Sequence, residues 1–195
     1  MSLKQKKFKK LRKELQYHQS ELEYVEEVLK EWHHKFEDYQ REYCTENDID
    51  IASLNQNNGP KVEKIMKKGI IPKKVHVDFK AIKQDKQIKR LYKELARKLH
   101  PDVGGDEEEF KALNQALSEK NFDKILDICD KHDILVNVDD DLIKLIKKQI
   151  SVTKEKIKKE KSTYSWSLYS CEDNQKCKHK VMKNFLRHLF NYQGD

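Results

Sequence analysis

The chain has 195 residues, room for one domain or two small ones. Lys and Arg number 41 against 34 Asp and Glu, a formal charge of +7, with 38% of residues charged and 36% hydrophobic. A charged share well above the roughly 25% of an average domain argues against a large compact core and for helices wet along much of their length.

Five glycines and three prolines argue against long low-complexity regions. The basic start, MSLKQKKFKKLRKEL, lacks the apolar run of a secretory signal, and no stretch approaches the roughly 18 apolar residues of a spanning helix. The cysteines (Cys44, Cys129, Cys171 and Cys177) are scattered rather than framed as in a secreted disulfide scaffold. The expectation is a soluble, intracellular protein with no membrane span, placed in the cytoplasm.

From Leu11 the positions Leu11, Leu15, His18, Leu22, Val25, Leu29, Trp32, Phe36, Tyr39 and Tyr43 alternate in steps of four and three. That heptad seam predicts a coiled-coil helix over residues 1–44, about 60 Å long, which must be covered by another helix or by a second copy in a homodimer. His18, the polar seam position, is read as setting register. The run Lys4 to Lys13 holds seven basic residues and no acid. It allows contact with nucleic acid or an anionic membrane surface, although no readout motif accompanies it.

Residues 45–78 read as a linker with a short irregular segment: an Asn/Asp-rich stretch, a turn at Gly59-Pro60, a short helix ending near Gly69 and an extended piece at 72–77. Residues 79–132 read as helices about a corner. Ile88, Leu91, Leu95 and Leu99 form an apolar stripe with Tyr92 at its margin, while Lys86, Arg90, Lys93 and Arg97 recur on another face, flanked by Lys89 and Lys98. Pro101 disfavours α geometry at His100 and ends this helix near Leu99. Asp106 is placed to cap the next helix, with Glu109 three residues on as in a capping box. Phe110, Leu113 and Leu117 give that helix its stripe, and Phe122, Ile125, Leu126 and Cys129 extend the apolar face.

Residues 139–195 read as C-terminal helices. The first, 142–161, carries Ile143, Ile146, Ile150, Thr153 and Ile157 and is a candidate to pack on the N-terminal helix; TYSWSLYSC interrupts, and a last helix starts near Asp173. The fold class expected is all-α, a long coiled-coil arm with an antiparallel helical hairpin.

The hairpin's corner, HPDVGG, has the features of a rigid recognition element. Proline fixes a backbone angle, aspartate offers a charged acceptor, imidazole a donor or acceptor, and Gly104-Gly105 a tight turn. The neighbouring basic face supplies attraction to an acidic partner. Taken in its setting, IKRLYKELARKLHPDVGGDEEEFKALNQAL, residues 88–117, resembles helix II, the HPD loop and helix III of the J-domain (DnaJ-type) co-chaperones. The resemblance implies docking on an ATP-bound DnaK-type heat-shock chaperone and stimulation of its ATPase, with an unidentified client. By the same resemblance His100, Pro101 and Asp102 would be the trigger, and Lys89, Arg90, Lys93 and Arg97 would hold an acidic surface. Tyr92 would add a contact. The helix I pattern of that family is not found ahead of residue 85, so either the 61–82 segment or a long helix is expected in its place. Val103 stands where many members carry a basic residue, and neither the Gly/Phe-rich linker nor the zinc-binding repeat of that family follows.

A Cys/His metal site would have to draw on Cys171, Cys177 and His179, with Cys129 and His132 upstream; the irregular spacing does not favour it. No cofactor is expected, and with no phosphate loop, paired carboxylates or nucleophile elbow the chain is not expected to be an enzyme. The alternative reading is a structural or nucleic-acid-associated coiled-coil protein whose J-like fold is a non-stimulating scaffold.

Overall fold

A computed structural model describes residues 2–54, 86–119 and 121–193; the expected turn at Gly59-Pro60, the elements at 61–77 and the helix onset near Phe79 lie outside the described residues. Among the described residues every regular element is a helix, so the fold is all-α. In chain order these are α1 (Leu3–Glu46), α2 (Lys86–Leu99), a single 3-10 turn (Pro101–Val103), α3 (Glu107–Glu119), α4 (Phe122–Lys131), α5 (Asp140–Glu160), α6 (Tyr164–Tyr169) and α7 (Gln175–Phe190).

Local chemistry explains most of the boundaries. α1 stops where Asp48 takes a left-handed φ of 52° and the Ile49 N–H turns back to the Cys44 carbonyl at 2.8 Å. Side-chain oxygens of Asn121, Thr163 and Asn174 accept from the first-turn amides of α4, α6 and α7, satisfying donors that a helix end leaves open. Asp139 does the same for α5 through the Leu142 N–H, at 2.8 Å. TYSWSLYSC, read from sequence as an interruption, forms the short helix α6. Thr163 starts it, and Leu168 and Cys171 are buried.

The chain divides into two compact units. The first takes its residues from Met1–His18 and His76–Val152. Its core joins Leu15 of α1, the α2 stripe Ile88, Leu91, Leu95 and Leu99, and Leu113 and Ala116 of α3. Phe122, Ile125, Leu126 and Cys129 of α4 and Leu142, Ile146 and Ile150 of α5 complete it. Each of its leucine, isoleucine and phenylalanine side chains contributes about 1.5–3 kcal/mol on burial. Leu15 of α1 lies fully buried in this core beside the α2–α3 hairpin, while the 61–82 segment lies outside the described residues. α1 and α5 start side by side, with Lys4 Nζ 2.9 Å from Asp140 Oδ2.

One polar cluster sits within this packing. Arg12 donates to Asp123 (3.2 Å), Asp127 (2.5 Å) and Asp130 (2.5 Å), three carboxylates spaced along one face of α4. The Arg12 side chain is 14% exposed and that of Asp123 only 7%. Burial opposes the guanidinium's charge, but Asp130 and Asp123 hold its pKa above the ordinary value. Burial, with Asp127 beside it, pushes the Asp123 carboxyl up, against the pull of Gln16 and Arg12.

The second unit takes its residues from Gln19–Val75 and Thr153–Asp195. Its core is aromatic: Phe36 and Tyr43 of α1 pack with Leu168 of α6 and with Met182, Phe185, Leu186, Leu189 and Phe190 of α7. The Phe36 and Phe185 rings meet edge to face, centroids 4.9 Å apart. Glu21 and Glu26 pair with Lys161 (2.7 Å) and Lys156 (2.5 Å). The α1 seam is thus largely buried within one chain, Val25, Leu29, Phe36 and Tyr43 included. Cys171 and Cys177 form a disulfide with Cα atoms 5.5 Å apart, a pairing that the scattered cysteine pattern did not lead one to expect.

Removing one partner from a buried ion pair leaves the other desolvated and alone, at about 3–5 kcal/mol. Arg12→Ala is therefore expected to lower unfolding free energy by that amount in a urea titration. Lys4→Ala, at an exposed pair, should cost at most about 1 kcal/mol. Equal effects would show that the α4 carboxylates do not depend on Arg12.

Candidate functional site

The corner between α2 and α3 is built from backbone outward. His100 precedes the 3-10 turn in an extended conformation (φ −64°, ψ 131°), as expected for a residue before proline. Its carbonyl accepts from the Val103 N–H at 3.0 Å and the Gly105 N–H at 3.2 Å, and the Gly104 N–H donates to Pro101 at 2.9 Å. Gly104 closes the turn in the left-handed region, φ 81°. Gly105 is needed for a different reason: a Cβ there would lie 2.3 Å from the Leu99 carbonyl carbon, so only glycine lets the chain pass the end of α2 this closely. Asp106 then caps α3, accepting from Glu108 (2.8 Å) and Glu109 (3.1 Å) amides.

The capping box expected from Asp106 and Glu109 is only half made. Rather than reaching back, the Glu109 carboxylate pairs with Lys131 at the end of α4 and with His132 Nε2 at 2.6 Å. Those bonds, Lys131 first and His132 second, hold the Glu109 carboxyl below its ordinary range. Lys98 ties α2 to the same place by donating to the His132 carbonyl at 2.7 Å. Three helix ends are thereby fixed together at the corner.

The side chains of the corner divide between support and display. The His100 ring packs edge-on against Phe110, centroids 5.1 Å apart, and its Nδ1 accepts from the Asp102 N–H at 3.2 Å. That bond leaves Nε2 as the ring nitrogen for a partner. The Asp102 side chain is 85% exposed, 3.4 Å from His100 Nδ1, and Pro101 and Val103 are exposed beside it. Along α2, Lys89, Arg90, Lys93 and Arg97 all face solvent, opposite the buried Ile88–Leu99 stripe. Arg90 is steadied by Glu94 at 3.1 Å, an i,i+4 pair.

Tyr92, expected as a contact residue, also has a structural partner. It is half-buried, and its hydroxyl donates to Asn114 of α3 at 2.8 Å, an interhelical bond that also fixes the antiparallel pairing. Sequence reasoning did not find Asn114, the Glu109–Lys131–His132 cluster or Arg12. The Asp123, Asp127 and Asp130 spacing was legible as one face of a helix, but nothing local names a partner more than a hundred residues away. The side chain of Lys86 lies outside the described residues.

The residues weighed for a Cys/His site go elsewhere. Cys171 is bonded to Cys177, Cys129 is fully buried with its thiol pushed up to about 11 by that burial, and His132 turns to Glu109. Among the described residues no cluster of three or more His, Cys, Asp or Glu could hold a metal ion. Among them, too, no helix is long and apolar enough to cross a membrane.

Two outcomes test this geometry. Gly105→Ala should cost about 1–3 kcal/mol, because the obstructing atoms are backbone and cannot swing aside. Gly104→Ala meets open space and should cost only the left-handed penalty, about 1–2 kcal/mol. The His100–Phe110 contact should be lost in Gly105→Ala and kept in Gly104→Ala, as nuclear Overhauser effects between the rings would show.

The second outcome concerns acid. Glu109 has a folded pKa below its unfolded value, so its carboxylate stabilises the fold above roughly pH 4.3, and that stability is lost as pH falls through the folded value. Melting temperature should fall less between pH 5 and pH 3 in Glu109→Gln than in the wild type. Parallel curves would rule out the Lys131–His132 pairing as a source of stability.

Comparison with protein-family models, curated proteins and solved structures gives no match to this chain.

Proposed function

We propose that the chain is a J-domain-like co-chaperone that docks on an ATP-bound DnaK-type heat-shock chaperone and stimulates its ATPase. The observation that carries this reading is the corner's pairing of a fixed backbone with displayed side chains. His100, Pro101 and Asp102 are held by four backbone or ring hydrogen bonds, yet Asp102 stands almost fully in water. A carboxylate carried on a backbone this rigid loses less entropy on meeting a basic group than one on a mobile loop. Lys89, Arg90, Lys93 and Arg97 form the neighbouring cationic surface, suited to steering and holding an acidic partner. Tyr92 would add a contact beside it, its hydroxyl donating to Asn114.

On this reading the partner supplies ATP and the hydrolytic chemistry, and this chain supplies contacts, with no cofactor of its own. The cytoplasm is the compartment where the two would meet. Client contacts would be sought on α1 and on the aromatic second unit.

The test is single-turnover ATP hydrolysis by a DnaK-type chaperone, with the wild type and with His100→Gln. Stimulation by the wild type and its loss in the variant, at unchanged helical circular dichroism, are expected. In the same titration, Lys93→Ala with Arg97→Ala should raise the half-saturating concentration several-fold, and the difference should shrink as salt rises. A wild type that stimulates none of several such chaperones would sink the reading and favour the scaffold alternative.

A further inference from the structure

The first turns of α1 carry a surface that the corner does not use. Of the seven cations between Lys4 and Lys13, two pair with carboxylates, Lys4 with Asp140 and Arg12 with the α4 aspartates, and Lys7 lies on the side of Asp140. Lys9 lines an open cleft with Phe8, Arg12 and Asp130. That leaves Lys6, Lys10 and Lys13, all exposed.

These three are spaced i, i+4, i+7, and Tyr17 completes the row at i+11. At 3.6 residues per turn the four positions fall within about 60° of arc and along about 16 Å of helix, on the side of α1 opposite the buried Leu15. Tyr17 is 66% exposed, a large ring left in water at the end of a lysine row. It is braced edge-on by His18, centroids 5.1 Å apart. The first turn of α1 also lacks any acid, although the helix dipole favours carboxylates there.

We propose that this face binds single-stranded nucleic acid, with Lys6, Lys10 and Lys13 on backbone phosphates and the Tyr17 ring as a platform for one base. Ammonium groups suit phosphates as hydrated point charges, and base stacking on an aromatic face is tolerant of sequence. A duplex offers the same phosphates but keeps its bases inside the stack, out of reach of Tyr17. An anionic bilayer would attract the lysines, but an interfacial helix inserts an apolar face, and Leu11 and Leu15 are already committed to the core of the first unit. The binding is independent of the co-chaperone reading, because it uses none of the corner residues.

The experiment is fluorescence anisotropy of a labelled single-stranded oligothymidylate titrated with the full chain at several salt concentrations. Three phosphate contacts predict that log affinity falls against log salt with a slope of about −2. Lys6→Glu, Lys10→Glu and Lys13→Glu together should abolish binding. Tyr17→Ala should weaken it about fivefold or more with the slope unchanged, and Tyr17→Phe should restore it. Circular dichroism checks that these surface variants keep their helix content. Three results would overturn the proposal: no binding at low salt, duplex binding as tight as single-strand binding with Tyr17→Ala indifferent, or binding to phosphatidylserine vesicles without binding to the oligonucleotide.

Discussion

Two antiparallel helices cannot bury two apolar stripes by themselves, and the first unit is organised around that constraint. Ile88, Leu91, Leu95 and Leu99 on α2 face Leu113 and Ala116 on α3, and the pair still has an open side. It is closed by the next two helices and by one from the start of the chain: Phe122 to Cys129 from α4, Leu142 to Ile150 from α5, and Leu15 from α1. Because all the covering helices lie on the apolar side, the opposite face of α2 stays in water with its cations. The packing that stabilises the hairpin and the exposure that makes it a candidate docking surface are consequences of one arrangement.

The corner shows how a short sequence can be rigid without being buried. Pro101 limits one dihedral, Gly105 allows an approach that no Cβ would permit, and the His100 carbonyl collects two amides. The helix ends around it are joined by charge: Glu109 to Lys131 and His132, Lys98 to the His132 carbonyl. Rigidity therefore comes from outside the tripeptide as well as within it. That leaves the Asp102 carboxylate free of structural duty except for its closeness to the His100 ring.

Much of this was legible because it is local. The α2 stripe, the stop at Leu99, the Asp106 cap and the α5 seam follow from spacing and turn chemistry over a few residues, and the helices begin and end near where those signals place them. What was hidden depends on partners far away in the chain. The heptad seam shows that α1 must be covered but not by what, since a second copy and a segment of the same chain leave the same pattern. Tyr92 reads as a margin residue until Asn114 is seen opposite it. Glu109 reads as half of a capping box because the competing cations arrive from the end of α4. TYSWSLYSC reads as a break because serines alternate with aromatics, and only the Thr163 cap and the burial of Leu168 make it a helix.

The choice between lysine and arginine follows the same logic. Of 41 cations only five are arginine: Arg12, Arg41, Arg90, Arg97 and Arg187. Arg12 is the one that loses most of its water, and a planar, weakly hydrated fork with five donors can reach three carboxylates at once where an ammonium cannot. Lys6, Lys10 and Lys13 on the outer face of the same helix stay wet, which suits a compact, strongly hydrated charge. By that measure α2 is unusual, since two of the five arginines fall within its 14 residues, both exposed. Arg90 already pairs with a carboxylate, Glu94, on the same helix. On the proposed reading the lysines of α2 draw an acidic surface in, and Arg97, nearest the corner, is the group suited to fixing its orientation.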